Sequence, residues 1–202
     1  TEGISTSVTT GDAGNITIES GGAIEMTAPM INSIAGEGAG GDVTITATGN
    51  VSSSSNVFAR NALDNGGVIN ITSTEGSIYA LSRNRGGYGA FLGQDVTITA
   101  PGNINLGSVW STGGTITINS SGGIIDTTKG DMSSNLFGFL PVGGDVTLTA
   151  AGDINTGSIN SSSSGSVPSG TISITSSEGG INTTDGWLWS DGSSTGEGGD
   201  VT

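Results

Sequence analysis

Gly144-Asp145-Val146-Thr147-Leu148-Thr149-Ala150, followed by Gly152-Asp153-Ile154, decides the fold, because the chain repeats this phrase. It stands again as Gly41-Asp42-Val43-Thr44-Ile45-Thr46-Ala47 with Gly49-Asn50-Val51. It stands a third time as Gln94-Asp95-Val96-Thr97-Ile98-Thr99-Ala100 with Gly102-Asn103-Ile104, and Gly199-Asp200-Val201-Thr202 opens a further copy. Each copy has an apolar-polar-apolar core with period two, the pattern of a strand with one buried face. The same core recurs at Ile16-Thr17-Ile18, Ile69-Asn70-Ile71, Ile116-Thr117-Ile118 and Ile172-Ser173-Ile174. The first apolar positions are therefore 16, 43, 69, 96, 116, 146, 172 and 201, a mean step of about 26 residues.

A second apolar anchor follows each core by 8 or 9 residues: Ile24, Val51, Ile78, Ile104, Ile125, Ile154 and Ile181. A Gly upstream of it supplies a sharp corner. A third anchor is visible only in part. Val109 and Ile159 come 5 residues after the second anchor, and Met132 and Leu188 come 7 after it. The four prolines, Pro29, Pro101, Pro141 and Pro168, avoid every apolar core, where they would delete a ladder hydrogen bond.

Short strands, a period near 26 and no helical pattern predict an all-β fold. It is a parallel β-helix (β-solenoid) of roughly seven coils, right-handed by the default chirality of crossovers. Residues 1–202 read as one repeat domain cut from a longer chain. Alternate coils differ. One type carries Asp before the first anchor (Asp42, Asp95, Asp145, Asp200), and the other has Asn15, Val68, Thr115 or Thr171 there, so the true period is two coils. Alternation keeps stacked carboxylates about 10 Å apart instead of about 5 Å. Asp beside Gly at a corner is expected to bond its own backbone in a turn.

Composition narrows the function classes. Of 202 residues 38 are Gly, but there are only 4 Pro and no Gly-X-Y period, which excludes collagen. The formal net charge is -14, from 18 acidic and 4 basic residues, so nucleic acid and anionic lipid are not expected partners. The absence of Cys and His removes thiol chemistry, disulfides and the commonest general base. Residues 1–10 lack a basic region and an apolar run, so no signal peptide is expected within them, and no stretch is apolar for long enough to span a membrane.

The alternation of Gly-Gly-Asp-Val-Thr-Leu-Thr-Ala-x-Gly-Asp-Ile-Asn-Thr-Gly-Ser-Ile (143–159) with Gly-Thr-Ile-Ser-Ile-Thr-Ser-Ser-Glu-Gly-Gly-Ile (170–181) resembles the repeats of filamentous-haemagglutinin-like exoproteins. These are the secreted partners of two-partner secretion systems, and the style is similar to cyanobacterial members. The resemblance covers roughly residues 11–202. It implies a right-handed β-helical shaft that crosses an outer-membrane pore unfolded and then serves as adhesin, fibre or surface layer. The family's secretion domain has no counterpart here.

Candidate sites are the stretches that break the repeat. Tyr88 and Phe91 lie with Arg83 and Arg85 in one of them, Phe137 and Phe139 in a second, and Trp187 and Trp189 in a third. Aromatics and Arg are enriched at interfaces, so these six aromatics are the expected contact residues; the competing expectation is that they fold back and fill the third face of the coil. The Thr-x-Thr pairs at 44/46, 97/99 and 147/149 resemble an ice-binding array, but Thr is a good outward strand residue and Asn70, Asn119, Ser173 and Glu19 interrupt the columns. The corner Asp residues could hold structural calcium, yet the glycine-rich nonapeptide of calcium β-rolls is absent, so no cofactor or metal is expected. Asp126, Asp131 and Asp153 could pair to cleave a glycosidic bond, but they occupy repeat or loop positions, so the chain is not expected to be an enzyme. The expected function is a non-enzymatic shaft of a secreted bacterial filament or cell-surface fibre. It would work outside the cell and associate with neighbouring copies end to end or side by side. The alternative is an adhesin binding glycans or a host surface through the aromatic loops.

Overall fold

The computed structural model describes residues 3–27, 30–61, 66–81, 91–135, 143–164, 166–192 and 196–202. Three parallel sheets wrap one core. Sheet 1 holds the repeated phrase: Ile16–Ser20, Val43–Ala47, Ile69–Ser73, Val96–Ala100, Ile116–Ser120, Val146–Ala150 and Ile172–Ser176. Sheet 2 holds the second anchors, from Ile24–Met26 through Val51–Ser53, Ile78–Ala80, Ile104–Leu106, Ile125–Asp126 and Ile154–Asn155 to Ile181–Asn182. Sheet 3 runs from Ile4–Ser5 through Met30–Glu37, Asn56–Asn61, Phe91–Gly93, Val109–Ser111, Met132–Ser133 and Ile159–Asn160 to Leu188–Trp189, with Val8–Thr10 also paired to Met30–Glu37. Seven stacked strands in sheets 1 and 2 make about six full turns of a β-solenoid. Val201 bridges Ile172 to open the next rung.

Register follows the repeat residue for residue. Val43 pairs with Ile16 and Ile69, and Val96 with Ile69 and Ile116, although the step from 96 to 116 is short and the step from 116 to 146 is long. All the length variation is therefore taken up away from sheet 1. Ile45, Ile71, Ile98 and Ile118 are stacked at 0–1% exposure. Each fully buried Ile or Leu contributes roughly 1.5–3 kcal/mol. A narrow core becomes adequate because the same contact is repeated coil after coil.

The corners carry a second kind of ladder. Asp42 accepts the Val68 amide at 2.9 Å, Asp95 the Thr115 amide at 2.7 Å and hydroxyl at 3.0 Å, and Asp145 the Thr171 amide at 2.7 Å. The expectation that corner Asp bonds its own backbone is thus corrected. In a parallel stack the nearest unpaired N–H belongs to the next coil, one strand spacing away, and the carboxylate caps that one. Asn15 and, at the next corner, Asn50, Asn103 and Asp153 do the same.

The two-coil period also has an interior half. Ser73, Ser120 and Ser176 pair in register with Ala47, Ala100 and Ala150. Ser120 Oγ donates to the Gly102 carbonyl at 2.8 Å and accepts the Gly123 amide at 3.1 Å; Ser73 and Ser176 repeat the arrangement with Gly49 and Gly76, and Gly152 and Gly179. A polar side chain at the rim of the core is tolerated because both bonding capacities are used. At the opposite end of sheet 1 the coils approach closely. A Cβ on Gly144 would strike the Gly114 carbonyl oxygen, and one on Gly170 the Gly144 carbonyl oxygen. Gly stands there because nothing larger fits.

A candidate contact surface on sheet 3

Sheet 3 is built from the least regular part of each coil. The interval from second to third anchor is 7 residues at Ile24 to Ile31, 6 at Val51 to Val57 and 13 at Ile78 to Phe91; it then alternates 5, 7, 5, 7. The two extra residues of the longer late coils form a turn. Asp126 Oδ1 accepts the Thr128 amide at 3.0 Å and hydroxyl at 2.7 Å, and Asn182 Oδ1 holds Thr184 at the same two distances. Two of the carboxylates considered for glycosidic cleavage are therefore engaged in the scaffold: Asp126 in this turn and Asp153 on the Gly180 amide at 2.8 Å.

Phe91 is not a contact residue. It lies inward in sheet 3, paired with Val57 and Val109, at 0% exposure in the main core. The stretch before it varies in length, but the chain returns to register at Phe91, and a large apolar side chain facing the core is buried there. The expected contact residues Tyr88, Phe137 and Phe139 lie outside the described residues, as do Arg83 and Arg85.

Trp187 and Trp189 stand on the surface, 68% and 44% exposed. Trp189 lies on the strand Leu188–Trp189 and Trp187 immediately precedes that strand. Their rings stack at 6.1 Å between centroids with 11° between planes. Their backbone is fixed from below: Ile159 donates to the Trp187 carbonyl at 2.7 Å, Ser161 to the Trp189 carbonyl at 2.8 Å, and the Trp187 amide reaches Ser158 Oγ at 3.4 Å. The pair is thus a ledge whose backbone is bonded to the neighbouring coil.

The same outward column holds an apolar group built on Phe58 and Leu92. Phe58 and Leu92 point away from the core by alternation, yet they are 7% and 0% exposed. With Ile34 and Trp110 they form a second small cluster outside the solenoid. The Arg60 guanidinium sits 5.8 Å from the Phe58 ring centroid, a cation–π contact. The signal available in the sequence was an apolar residue at an outward position, as in Val57-Phe58-Ala59 and Phe91-Leu92-Gly93.

A cleft of about 510 Å³ lies on sheet 2, with Glu25, Ser52, Ser54, Tyr79, Leu81 and Lys129 in its lining. Tyr79 and Leu81 are 40% and 46% exposed. The repeat gave no sign of it, because its residues come from positions where coils differ. Among the described residues no helix is long and apolar enough to cross a membrane.

No family model, no curated protein and no solved structure matches this chain. The β-solenoid architecture is that of a repeat protein and is consistent with a structural one.

Proposed function

We propose that this chain is a length of shaft from a secreted bacterial filament or cell-surface fibre, working outside the cell and associating with neighbouring copies. The observation that carries the reading is the continuity of the three ladders. Sheets 1 and 2 keep every rung from Ile16 to Ile172 and from Ile24 to Ile181 in register, whatever the coil length. Bending such a body means breaking backbone hydrogen bonds on one side, so it acts as a stiff rod. The likeness of 143–181 to haemagglutinin-like repeats supports export and a surface location. Electron microscopy of the native material tests this. Rods with a repeat of about 4.8 Å along the axis are expected, and isolated compact particles at every concentration would overturn the reading.

A second reading, an adhesin that binds glycans, is favoured by the exposed Trp187–Trp189 ledge. Replacing both residues by Ala separates the two. Loss of ligand binding with intact rods supports the adhesin, and loss of assembly supports the filament contact.

A further inference from the structure

Resting on the reading of the Trp187–Trp189 ledge as a contact surface, we propose that the ledge and the carboxylates of Asp131, Asp185 and Asp191 around it form a docking site for a basic peptide segment, in place of a glycan. Asp185 lies two residues before Trp187, and Asp191 two residues after Trp189. Asp131 comes to the same face from two coils away. The amides of Val109, Met132 and Ile159 donate to the carbonyls of Asp131, Ser158 and Trp187, so these last three residues share one column. Two strand steps, about 10 Å, separate Asp131 from Trp187. All three Asp residues are exposed, as both indoles are.

These carboxylates differ from those of the corners, which cap amides of the next coil. Asp131 and Asp191 bond to described residues through backbone atoms: their amides donate to Ser108 and Ser162 Oγ, and their carbonyls accept from Val109 and Ser163. No described residue pairs with the Asp131, Asp185 or Asp191 carboxylate. Lys129, two residues from Asp131, lines the cleft on sheet 2 instead. Three unengaged carboxylates beside an exposed apolar pair, on a chain of formal net charge -14, select a cation. Trp is the best π partner for one. The stem of a Lys or Arg covers an indole while its head reaches a carboxylate, and the Arg guanidinium also stacks on the ring. A pyranose would cover the rings and leave all three carboxylates unused. A second copy of this chain is a poor match, since it brings 4 basic residues against 18 acidic ones.

The test is isothermal titration calorimetry of the 202-residue chain with hexa-arginine, against cellohexaose and a chitosan hexamer as neutral and cationic glycans. Hexa-arginine is expected to bind. Trp187→Ala with Trp189→Ala should weaken it at least about tenfold, and Phe at both positions, which keeps two ring faces, should weaken it less. Asp131→Asn, Asp185→Asn and Asp191→Asn together should weaken it about tenfold. Glu19→Gln, Glu75→Gln and Glu178→Gln together remove as many charges from exposed positions on or just after strands of sheet 1, and should change it less than about twofold. Far-UV circular dichroism confirms that each variant is folded. Four results overturn the site. Hexa-arginine fails to bind; the Gln variant loses as much as the Asn variant, which reduces the attraction to net charge; the double Ala variant binds as the parent chain does; or either glycan binds more tightly than the peptide, which gives the ledge to a sugar. Binding of hexa-arginine with no binding of either glycan upholds the site and removes the glycan-adhesin reading. None of these results bears on whether the native material forms rods.

Discussion

Sheets 1 and 3 are wound from the same coils and obey opposite rules. In sheet 1 every strand has five residues, and the outward positions are Thr, Asn or Ser with the single exception of Glu19. In sheet 3 the strands run from two to eight residues, and the outward column reads Asn32, Phe58, Leu92, Trp110, Ser133, Asn160, Trp189. The difference lies in what each outward position must satisfy. In sheet 1 like side chains stack on like, coil after coil, and a change at one rung meets the same neighbours above and below. In sheet 3 the preceding connection varies in length, so no column of identical neighbours is imposed. The inward positions of both sheets stay apolar or small, because both line one core. Of these two sheets, sheet 3 therefore takes the outward variation, and it carries the exposed Trp187 and Trp189.

The largest expected effect tests whether the outward cluster of sheet 3 counts as core. Phe58→Ala should cost about 3–5 kcal/mol and Ile98→Ala about 2–5 kcal/mol, measured by urea denaturation. Comparable losses would mean that a residue pointing away from the axis packs as firmly as one pointing into it. A loss under about 1 kcal/mol at Phe58, with the Ile98 loss intact, would break the claim of a second core. The next effect tests the corners of sheet 1. Gly144→Ala should destabilise by about 1–3 kcal/mol, because the new Cβ meets the Gly114 carbonyl. Gly21→Ala, with nothing within 4 Å of its Cβ, should be neutral or stabilise by about 0.4–1 kcal/mol.

A third, smaller effect asks whether the Asp column is held by hydrogen bonding or by charge. Asp95→Ala should cost about 1–2 kcal/mol by stranding the Thr115 amide. Asp95→Asn keeps an acceptor oxygen in the same place, as Asn15, Asn50 and Asn103 do at equivalent corners, and should cost less than about 0.5 kcal/mol. Equal losses for the two variants, read from denaturation midpoints at constant slope, would refute the ladder described above.

The repeat makes sheets 1 and 2 legible in the sequence, because period-two cores at a near-constant step can stack in only one register. Sheet 3 was legible where the second-to-third interval settled to 5 or 7, at Val109, Met132, Ile159 and Leu188. It was not legible at Ile31, Val57 and Phe91, where the interval wanders. Phe91 looked like a contact residue because an irregular stretch with two Arg and a Tyr surrounds it; only the register with Val57 and Val109 shows that it faces the core. The partners of Asp42, Asp95 and Asp145 lie 26, 20 and 26 residues on, which local turn rules do not reach. The outward cluster was hidden for a related reason. Its members are neighbours across strands, and their sequence separations differ from rung to rung.

The smallest expected effect bears most directly on the contrast between the faces. Trp187 is 68% exposed, and its backbone contacts with Ile159 and Ser158 do not depend on its side chain. Its ring touches the stack at Trp189, an interaction on the order of 0.5–1.5 kcal/mol beyond burial when the pair is well packed, and worth less where water reaches both rings. Trp187→Ala should therefore change stability by less than about 0.5 kcal/mol, in either direction. A large apolar side chain kept on the surface without stabilising the fold is what a contact residue looks like. A loss above about 1.5 kcal/mol in the same denaturation experiment would instead make Trp187 part of the scaffold. The irregular outward column would then be structural along its whole length, and the division of labour between the two sheets would fail at the place where it predicts a partner.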